Sequence, residues 1–153
     1  MRIDDAANLM AQLMQEHQLF EGGWRCGWNH RRRSLGLCQY STKRIELSQP
    51  LALVNDEATI RNTILHEIAH ALAGSSAGHG RVWQLMAVSI GARPERCNGT
   101  AQGVDHLAKW QATCPRCERI VGRFRKPRRE VSCGQCAPGR FDRSVLFNFV
   151  EVR

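Results

Sequence analysis

The segment ILHEIAHALAG, residues 64–74, decides how the rest of the sequence is read. It carries His66, Glu67 and His70 in the order H-E-x-x-H, among apolar residues. On an α-helix, residues four apart lie on one face, so the two imidazoles can bind one metal ion. The Glu67 side chain lies about 100° round the helix from His66, within reach of a water at that ion. The alternative is a buried core helix with two hydrogen-bonded histidines.

The surrounding sequence predicts a helix with recognisable ends. Asn55 or Asp56 can act as the N-cap, because their side chains accept a hydrogen bond from a free helical N–H group. Gly74 is a suitable residue just after the last turn. Apolar residues recur between these ends at steps of three and four: Ile60, Ile64, Leu65, Ile68 and Leu72. We therefore expect the motif to lie inside a helix.

A catalytic zinc site needs a third protein ligand and keeps one coordination position open. Ser76 stands where a metzincin would have its third histidine, which excludes that class. Glu95 lies in the right region but outside any helical pattern. His79 follows a loop of small residues and precedes a predicted helix over 80–90. We expect His79 to be the third ligand, with Glu95 as the alternative.

Two C-x-x-C pairs near the end of the chain form a second candidate metal site. The spacing is C-x₂-C-x₁₅-C-x₂-C, and the residues are Cys114, Cys117, Cys133 and Cys136. Each pair can form a tight turn, and the spacer can form a hairpin that brings the two turns together. Four thiolates would hold a structural zinc, which replaces a hydrophobic core in so small a module. The alternatives are a dithiol redox site or unpaired thiols.

The basic charge is concentrated at the same end. The net charge is +8 and the pI is 9.6. Residues 110–153 hold ten Lys and Arg against four Asp and Glu, a net charge of +6. A basic module favours a polyanionic partner, most commonly nucleic acid. The sequence therefore predicts a nucleic-acid contact, which we expect in the region between the cysteine pairs.

Six basic residues in that region surround an aromatic one, Phe124. They are Arg119, Arg123, Arg125, Lys126, Arg128 and Arg129. Such a group can bind a phosphate backbone and stack on a base. A second basic run consists of Arg31, Arg32 and Arg33. The alternatives are a solvated hairpin that protects a sheet edge, and a solvated loop.

Composition and cysteine content limit the classes of protein to which the chain can belong. The chain has 153 residues, 42% hydrophobic and 24% charged, which is typical of a globular protein. No apolar run approaches the roughly 20 residues that span a bilayer, and the first residues do not form a signal peptide. Seven cysteines, an odd number, argue against a secreted disulfide framework. We expect a monomer in the reducing cytoplasm, with no membrane partner. If the source is bacterial or phage, we expect it to associate with the nucleoid.

The pattern of elements predicts an α+β fold. We expect three main helices over 3–19, 55–74 and 80–90, and strands over 34–40 and 44–48. Short β-like stretches follow over 119–125, 130–132 and 141–152. The predicted domains are 1–109, a core with a short sheet, and 110–153, a β-rich zinc ribbon.

Several of these motifs together resemble the SprT/Spartan family of metalloproteases. H-E-I-A-H, a loop and then H-G-R-V-W, within 66–83, is similar to the family's catalytic core. Gly36-Leu-Cys-Gln-Tyr40, followed by the segment 45–51, matches its G-x-C-x-Y … I-x-L-S-x-P-L signature. The tryptophans and Asn29 within 24–29 match its earlier W-x-x-x-W-N strand.

The resemblance implies a small zincin-like core with two Zn²⁺ ions, one catalytic and one structural. His66, His70 and His79 would bind the catalytic zinc, and Glu67 would be the general base. Tyr40 would either polarise the scissile carbonyl or serve in packing. The implied substrates are proteins bound or crosslinked to DNA, in single-stranded regions or at junctions with duplex, as in DNA–protein crosslink repair.

The likeness is to a compact bacterial or phage-type SprT-like protein with a C-terminal zinc ribbon. The loop before His79 is shorter than in eukaryotic members, and the sequence ends soon after the ribbon. We therefore do not expect regulation through the partner-binding tail of those members.

Two other readings of the residues stay open. The chain could be a non-enzymatic DNA-binding module, in which a fourth ligand such as Cys38, Cys97 or Glu95 closes the zinc site. It could also be a zinc peptidase with no role at nucleic acid, in which the ribbon contacts proteins.

Overall fold

The computed structural model describes residues 1–95 and 108–152. The chain forms two compact units, Met1–Gln102 and Gly103–Arg153. The predicted α+β class is confirmed, with about three main helices and small sheets. The predicted division between residues 109 and 110 stays a prediction, because the units divide inside the segment that is not described. Among the helices of the described residues, none is long and apolar enough to cross a membrane.

Over residues 1–95, the first unit combines four α-helices with a three-stranded sheet. In chain order its elements are α1 (Ile3–Glu16), β1 (Arg25–Asn29), β2 (Gly36–Gln39), β3 (Arg44–Ser48), α2 (Gln49–Ala52), α3 (Glu57–Ala73) and α4 (Arg81–Ser89). The strand order is β1-β3-β2, with β1 parallel and β2 antiparallel to β3. β2 is therefore an edge strand of this sheet.

The core of this unit lies between the helices and the central strand. α1 contributes Met10 and Met14, and β3 contributes Ile45 and Leu47, all fully buried. α3 is buried along most of its length and adds fully buried residues to the same core: Ile60, Ile64, Ile68 and Ala69. Each of these isoleucines contributes roughly 1.5–3 kcal/mol when removed from water. The helix that carries the metal motif is thus fixed by the best-packed part of the unit.

The ends of α3 follow the sequence prediction. Asp56 is the N-cap, and its Oδ1 accepts a hydrogen bond of 2.8 Å from the N–H of Thr59. Gly74 ends the helix with a φ of 84°, which residues with a side chain rarely adopt. α1 is shorter than expected: it ends at Glu16, and Gln18 then takes a positive φ of 57°.

The second unit is a small antiparallel sheet beside the cysteine turns. Its strands are β4 (Trp110–Thr113), β5 (Ile120–Arg123) and β6 (Val150–Glu151), in the order β5-β4-β6. One buried cluster of the described residues consists of Cys114, Cys133, Ala137 and Val145, with Phe147 and the other two cysteines packed against it. So few apolar side chains make a small core, as expected of a ribbon.

The predicted strands of this unit are only partly correct. β5 lies within the predicted 119–125, but 130–132 contributes only an isolated bridge between Ser132 and Leu146. Most of 141–152 is not a strand, because the Asp142 side chain accepts a hydrogen bond from the N–H of Ser144 and starts a 3₁₀ turn over Arg143–Val145. β4 was not predicted, since four residues show too little alternation to signal a strand.

Candidate active site and metal centres

α3 and the loop after it bring three histidines together. His66 and His70 are one turn apart on α3. The chain reverses through Gly74 and Gly78, which have φ values of 84° and 51°, and through a short 3₁₀ turn between them. His79 therefore returns to the face of α3 just before α4 begins at Arg81.

The ring nitrogens of these histidines converge on a point. The Nε2–Nε2 distance is 3.2 Å from His66 to His70, and 3.1 Å from His79 to each of the others. Two nitrogens at about 2.0–2.1 Å from a tetrahedral zinc are roughly 3.3 Å apart. The three imidazole nitrogens are therefore close enough to bind one metal ion. The three residues form a candidate metal group.

The protonation of the histidines is consistent with metal binding. Burial, together with the charges of His70 and His79, lowers the pKa of His66 to about 4. Burial and the charge of His79 lower the pKa of His70 to about 4. Neutral imidazoles are the form that binds metals, so both rings are ready to act as ligands at neutral pH.

Trp83 packs against all three imidazoles. Its ring centroid lies 4.6 Å from that of His66, 5.1 Å from that of His70 and 4.7 Å from that of His79. The indole is fully buried, and its Nε1 has no hydrogen-bond partner among the described residues. Trp83 therefore forms an apolar wall that limits how the three rings can turn.

Glu67 lies on α3 beside His66, and its side chain is only 9% exposed. This burial raises the pKa of the Glu67 carboxyl to about 7, and a hydrogen bond from the backbone of Cys38 offsets part of the rise. Cys38 belongs to β2, so the edge strand lies along the face of α3 that carries the carboxylate. A buried carboxylate next to a metal group is able to accept and return a proton.

Tyr40 lies just after β2, and its hydroxyl donates a hydrogen bond of 3.3 Å to the carbonyl oxygen of His70. Its ring meets Trp24 edge-on, with centroids 6.2 Å apart. Burial, with smaller effects of Cys38 and Glu67, raises the pKa of the Tyr40 hydroxyl to about 12. These contacts link β2 to the end of α3, as the packing alternative requires, and a role in catalysis stays a prediction.

The other candidate ligands lie elsewhere or outside the described residues. Within 1–95 and 108–152, neither Cys38 nor Glu95 is part of the histidine group. Glu95 is exposed in a bend after α4. Cys97 lies in the segment that is not described. The described part of the chain therefore supplies three histidines to this group and no fourth ligand.

The four cysteines of the C-x-x-C pairs form the second metal group. The Sγ atoms of Cys114 and Cys136 are 3.8 Å apart, and those of Cys117 and Cys133 are 3.7 Å apart. Sulfurs at about 2.3 Å from a tetrahedral zinc are separated by roughly 3.8 Å. The four thiols thus fit one ion of that kind.

Backbone N–H groups of the first C-x-x-C turn point at the sulfur of Cys114. Hydrogen bonds from the backbone of Cys117 and Arg116 lower the pKa of the Cys114 thiol to about 6. The contact from the N–H of Arg116 is 3.5 Å long. Because metal binding requires thiolates, this turn is suited to hold an ion.

The predicted nucleic-acid residues lie on two exposed segments. The side chains of Arg31, Arg32 and Arg33 are exposed in the loop between β1 and β2. In the second unit, the exposed basic residues of the hairpin are Arg119, Arg123, Arg125, Lys126, Arg128 and Arg129. Phe124 is half-buried among them. Sequence and structure therefore agree that these charges face solvent, and whether they bind DNA stays a prediction.

The arginines of the second unit differ in their partners. Arg140 and Arg143 have acidic oxygens 4.0 Å away, on Asp142 and Glu130 respectively. Within the described residues, four of the hairpin guanidinium groups have no ion-pair or hydrogen-bond partner: those of Arg119, Arg125, Arg128 and Arg129. Those four guanidinium groups can bind a polyanion without first breaking an internal contact.

Sequence reasoning missed the contacts that three residues make in the folded chain. Gly36 lies against Glu67, and a lone glycine inside a strand is a known signal of such a close approach. Trp83 lies in the predicted helix over 80–90, four residues after His79, and that spacing places it toward the same site. Trp110 lies under the ammonium group of Lys126, 5.1 Å from the ring centroid, which no sequence pattern indicated.

Comparison with known proteins identifies the first unit. A family model described as the SprT-like family matches residues 6–106, about two thirds of the chain. No curated protein matches the chain. The matched residues include the helix with the H-E-x-x-H motif, and the family implies a zinc metallopeptidase-like domain. The chain therefore belongs to the SprT-like family.

Proposed function

We propose that this protein is a zinc-dependent metallopeptidase that cleaves proteins bound or crosslinked to DNA. The observation that carries the proposal is the convergence of the three Nε2 atoms beside the buried carboxylate of Glu67. A zinc ion held there would polarise the scissile carbonyl and lower the pKa of the attacking water. The second ion would hold the four cysteines together and have no role in the reaction.

The residues around this site have distinct roles in the proposal. His66, His70 and His79 hold the metal, and their three-ligand set leaves room for substrate. Glu67 takes a proton from the attacking water and delivers it to the leaving amine. The backbone N–H of Cys38 orients the Glu67 carboxylate.

The location of free positive charge supports DNA as the partner. Arg125, Arg128 and Arg129 are exposed and lack partners within the described residues. Exposed guanidinium groups bind phosphates and release counterions. Phe124 between them is an aromatic ring on which an unpaired base can stack, which favours single-stranded DNA or a junction. The exposed run Arg31–Arg33 offers further phosphate contacts.

Cleavage of a histone by zinc-loaded protein tests the peptidase. The wild type should cleave it in the presence of single-stranded DNA. Glu67→Gln keeps the size of the side chain and removes the base, so it should bind zinc normally and lose at least about a hundredfold in rate. Equal cleavage by the two proteins would contradict the assignment of Glu67.

The same assay separates the two rival readings. A non-enzymatic DNA-binding module would bind DNA and two zinc ions but would cleave nothing. A peptidase without a role at nucleic acid would need Glu67 but would be indifferent to DNA. The first rival also needs a fourth protein ligand, and the described residues add none to the three histidines.

A further inference from the structure

We propose that Gly36 is a positioning residue for Glu67, because its missing side chain leaves the space that the Glu67 carboxylate occupies. The inference rests on the proposed function, in which Glu67 is the base. It concerns a different element, since Gly36 begins β2 and Glu67 lies on α3. The edge strand would then help to set the geometry of the reaction.

The distances at Gly36 leave no room for a methyl group. A Cβ atom there would lie 2.6 Å from Oε1 and 2.8 Å from Cγ of Glu67. It would also lie 2.7 Å from Cγ2 of Thr63, one turn earlier on α3. Non-bonded carbon atoms prefer about 3.5–4.0 Å, so either the strand or the carboxylate has to move.

Strand β2 is less able to move than the Glu67 carboxylate. Gly36 pairs with Leu47 of β3, and Leu47 is fully buried in the core. Two residues further along β2, the backbone of Cys38 makes the hydrogen bond to the Glu67 carboxylate. A methyl group at Gly36 would therefore push the carboxylate away from the N–H of Cys38. That displacement changes where the proposed base points.

Gly27 offers a matched control in the other edge strand, β1. A Cβ there would lie 2.5 Å from Nη2 of Arg44 and 3.1 Å from Cγ of Glu46. Nη2 is the end of a flexible side chain that is 43% exposed and whose Nε lies 3.2 Å from Oε1 of Glu46, so it can move aside by loosening that ion pair. Gly27→Ala therefore adds the same methyl group to the same sheet and leaves Glu67 untouched.

The contact with Thr63 has to be separated from the contact with Glu67. Thr63→Ser removes Cγ2 but keeps the hydroxyl, which donates a hydrogen bond of 2.9 Å to the carbonyl oxygen of Thr59. The test variant is thus Gly36→Ala combined with Thr63→Ser, and Thr63→Ser alone is its reference. Because both proteins lack Cγ2 of Thr63, the crowding that distinguishes the double variant from its reference is that against Glu67.

Two measurements on the zinc-loaded, full-length protein decide the proposal. The first is hydrogen exchange of the Cys38 amide by NMR, which does not depend on activity. We expect it to become at least about tenfold faster in the double variant than in Thr63→Ser, and unchanged in Gly27→Ala. The second is the kinetics of cleavage: kcat should fall about a hundredfold, with KM and zinc content unchanged, as a shifted base requires.

The outcomes are distinct. Unchanged Cys38 exchange in the double variant overturns the proposal, and so does an unchanged kcat. A fall in zinc content with the same kcat per zinc also overturns it, because Gly36 would then support the metal site. If the wild type cleaves nothing, the proposed function fails, and faster Cys38 exchange still supports the contact between Gly36 and Glu67.

Discussion

The indole of Trp83 stacks on the imidazole of His70, with ring centroids 5.1 Å apart and planes inclined at 27°. The same indole meets the rings of His66 and His79 edge-on or at a steep angle. One buried aromatic side chain thus contacts every proposed ligand of the catalytic metal. Its contacts suggest that it fixes the directions in which the ring nitrogens point.

Replacing Trp83 should weaken metal binding. Trp83→Ala leaves a cavity that costs about 3–5 kcal/mol of stability, and freeing the rings should lower zinc affinity about 10- to 100-fold. Trp83→Phe keeps an aromatic wall and loses no hydrogen bond to the described residues, so its effect should be much smaller. Competition with a chromophoric chelator measures the affinity. A folded Trp83→Ala with wild-type zinc affinity would contradict this role.

Tyr40→Phe should affect stability more than catalysis. The change removes only the hydroxyl that donates to the carbonyl oxygen of His70. Loss of one such hydrogen bond costs about 0.5–1.5 kcal/mol, measurable by urea unfolding. We expect kcat to stay within about twofold of the wild type. A loss of tenfold or more in kcat with unchanged KM would instead support the transition-state role that the family resemblance implies.

Removing metal from the four cysteines should unfold the second unit alone. Apart from two cysteines, its buried residues are small, so little else stabilises residues 108–152. Among the described residues they are Ala108, Ala112, Val121, Ala137 and Val145. Cys117→Ser should give the same result without a chelator. Hydrogen exchange should show loss of protection in β4 and β5 while α1 and α3 stay protected. Ribbon amides that remain protected after metal loss would contradict this prediction.

Neutralising the unpartnered arginines should weaken DNA binding and its dependence on salt. Each phosphate contact contributes roughly 0.7 to the logarithmic salt slope for single strands. We therefore expect Arg125→Gln, Arg128→Gln and Arg129→Gln together to reduce the slope by about 2. Fluorescence anisotropy with a labelled oligonucleotide over a range of salt concentrations measures it.

The matched control neutralises arginines that already have acidic neighbours. Arg140→Gln and Arg143→Gln remove positive charge from the same unit, next to Asp142 and Glu130. We expect them to change the slope by less than about 0.5 each. Equal effects per arginine in the two sets would show that net charge, rather than the hairpin, attracts the DNA.

Local features of the sequence predicted much of the fold and the site. The cap at Asp56, the glycine at the end of α3 and the spacing of His66 and His70 act within one helix, so neighbouring residues determine them. Strand β3 has the predicted bounds, Arg44–Ser48, although its last four residues are all buried and not alternately exposed. The cysteine turns are equally local, because each C-x-x-C pair specifies its own geometry.

Features that depend on distant parts of the chain were not predictable in this way. The parallel pairing of β1 with β3 depends on how the chain crosses the sheet. The contact of Gly36 with Glu67 depends on how closely an edge strand approaches a helix, which no spacing encodes. The segment 141–152 has a strand-like composition, but the Asp142 side chain and the cysteine turns impose a different path.

The most direct test of the whole account compares one substrate in two states. A single protein is presented either crosslinked to single-stranded DNA or free, to wild-type protein and to Glu67→Gln. We expect the wild type to cleave the crosslinked form at least about tenfold faster than the free form. Glu67→Gln should cleave neither. Equal cleavage of the two forms by the wild type, or cleavage of either by Glu67→Gln, would contradict it.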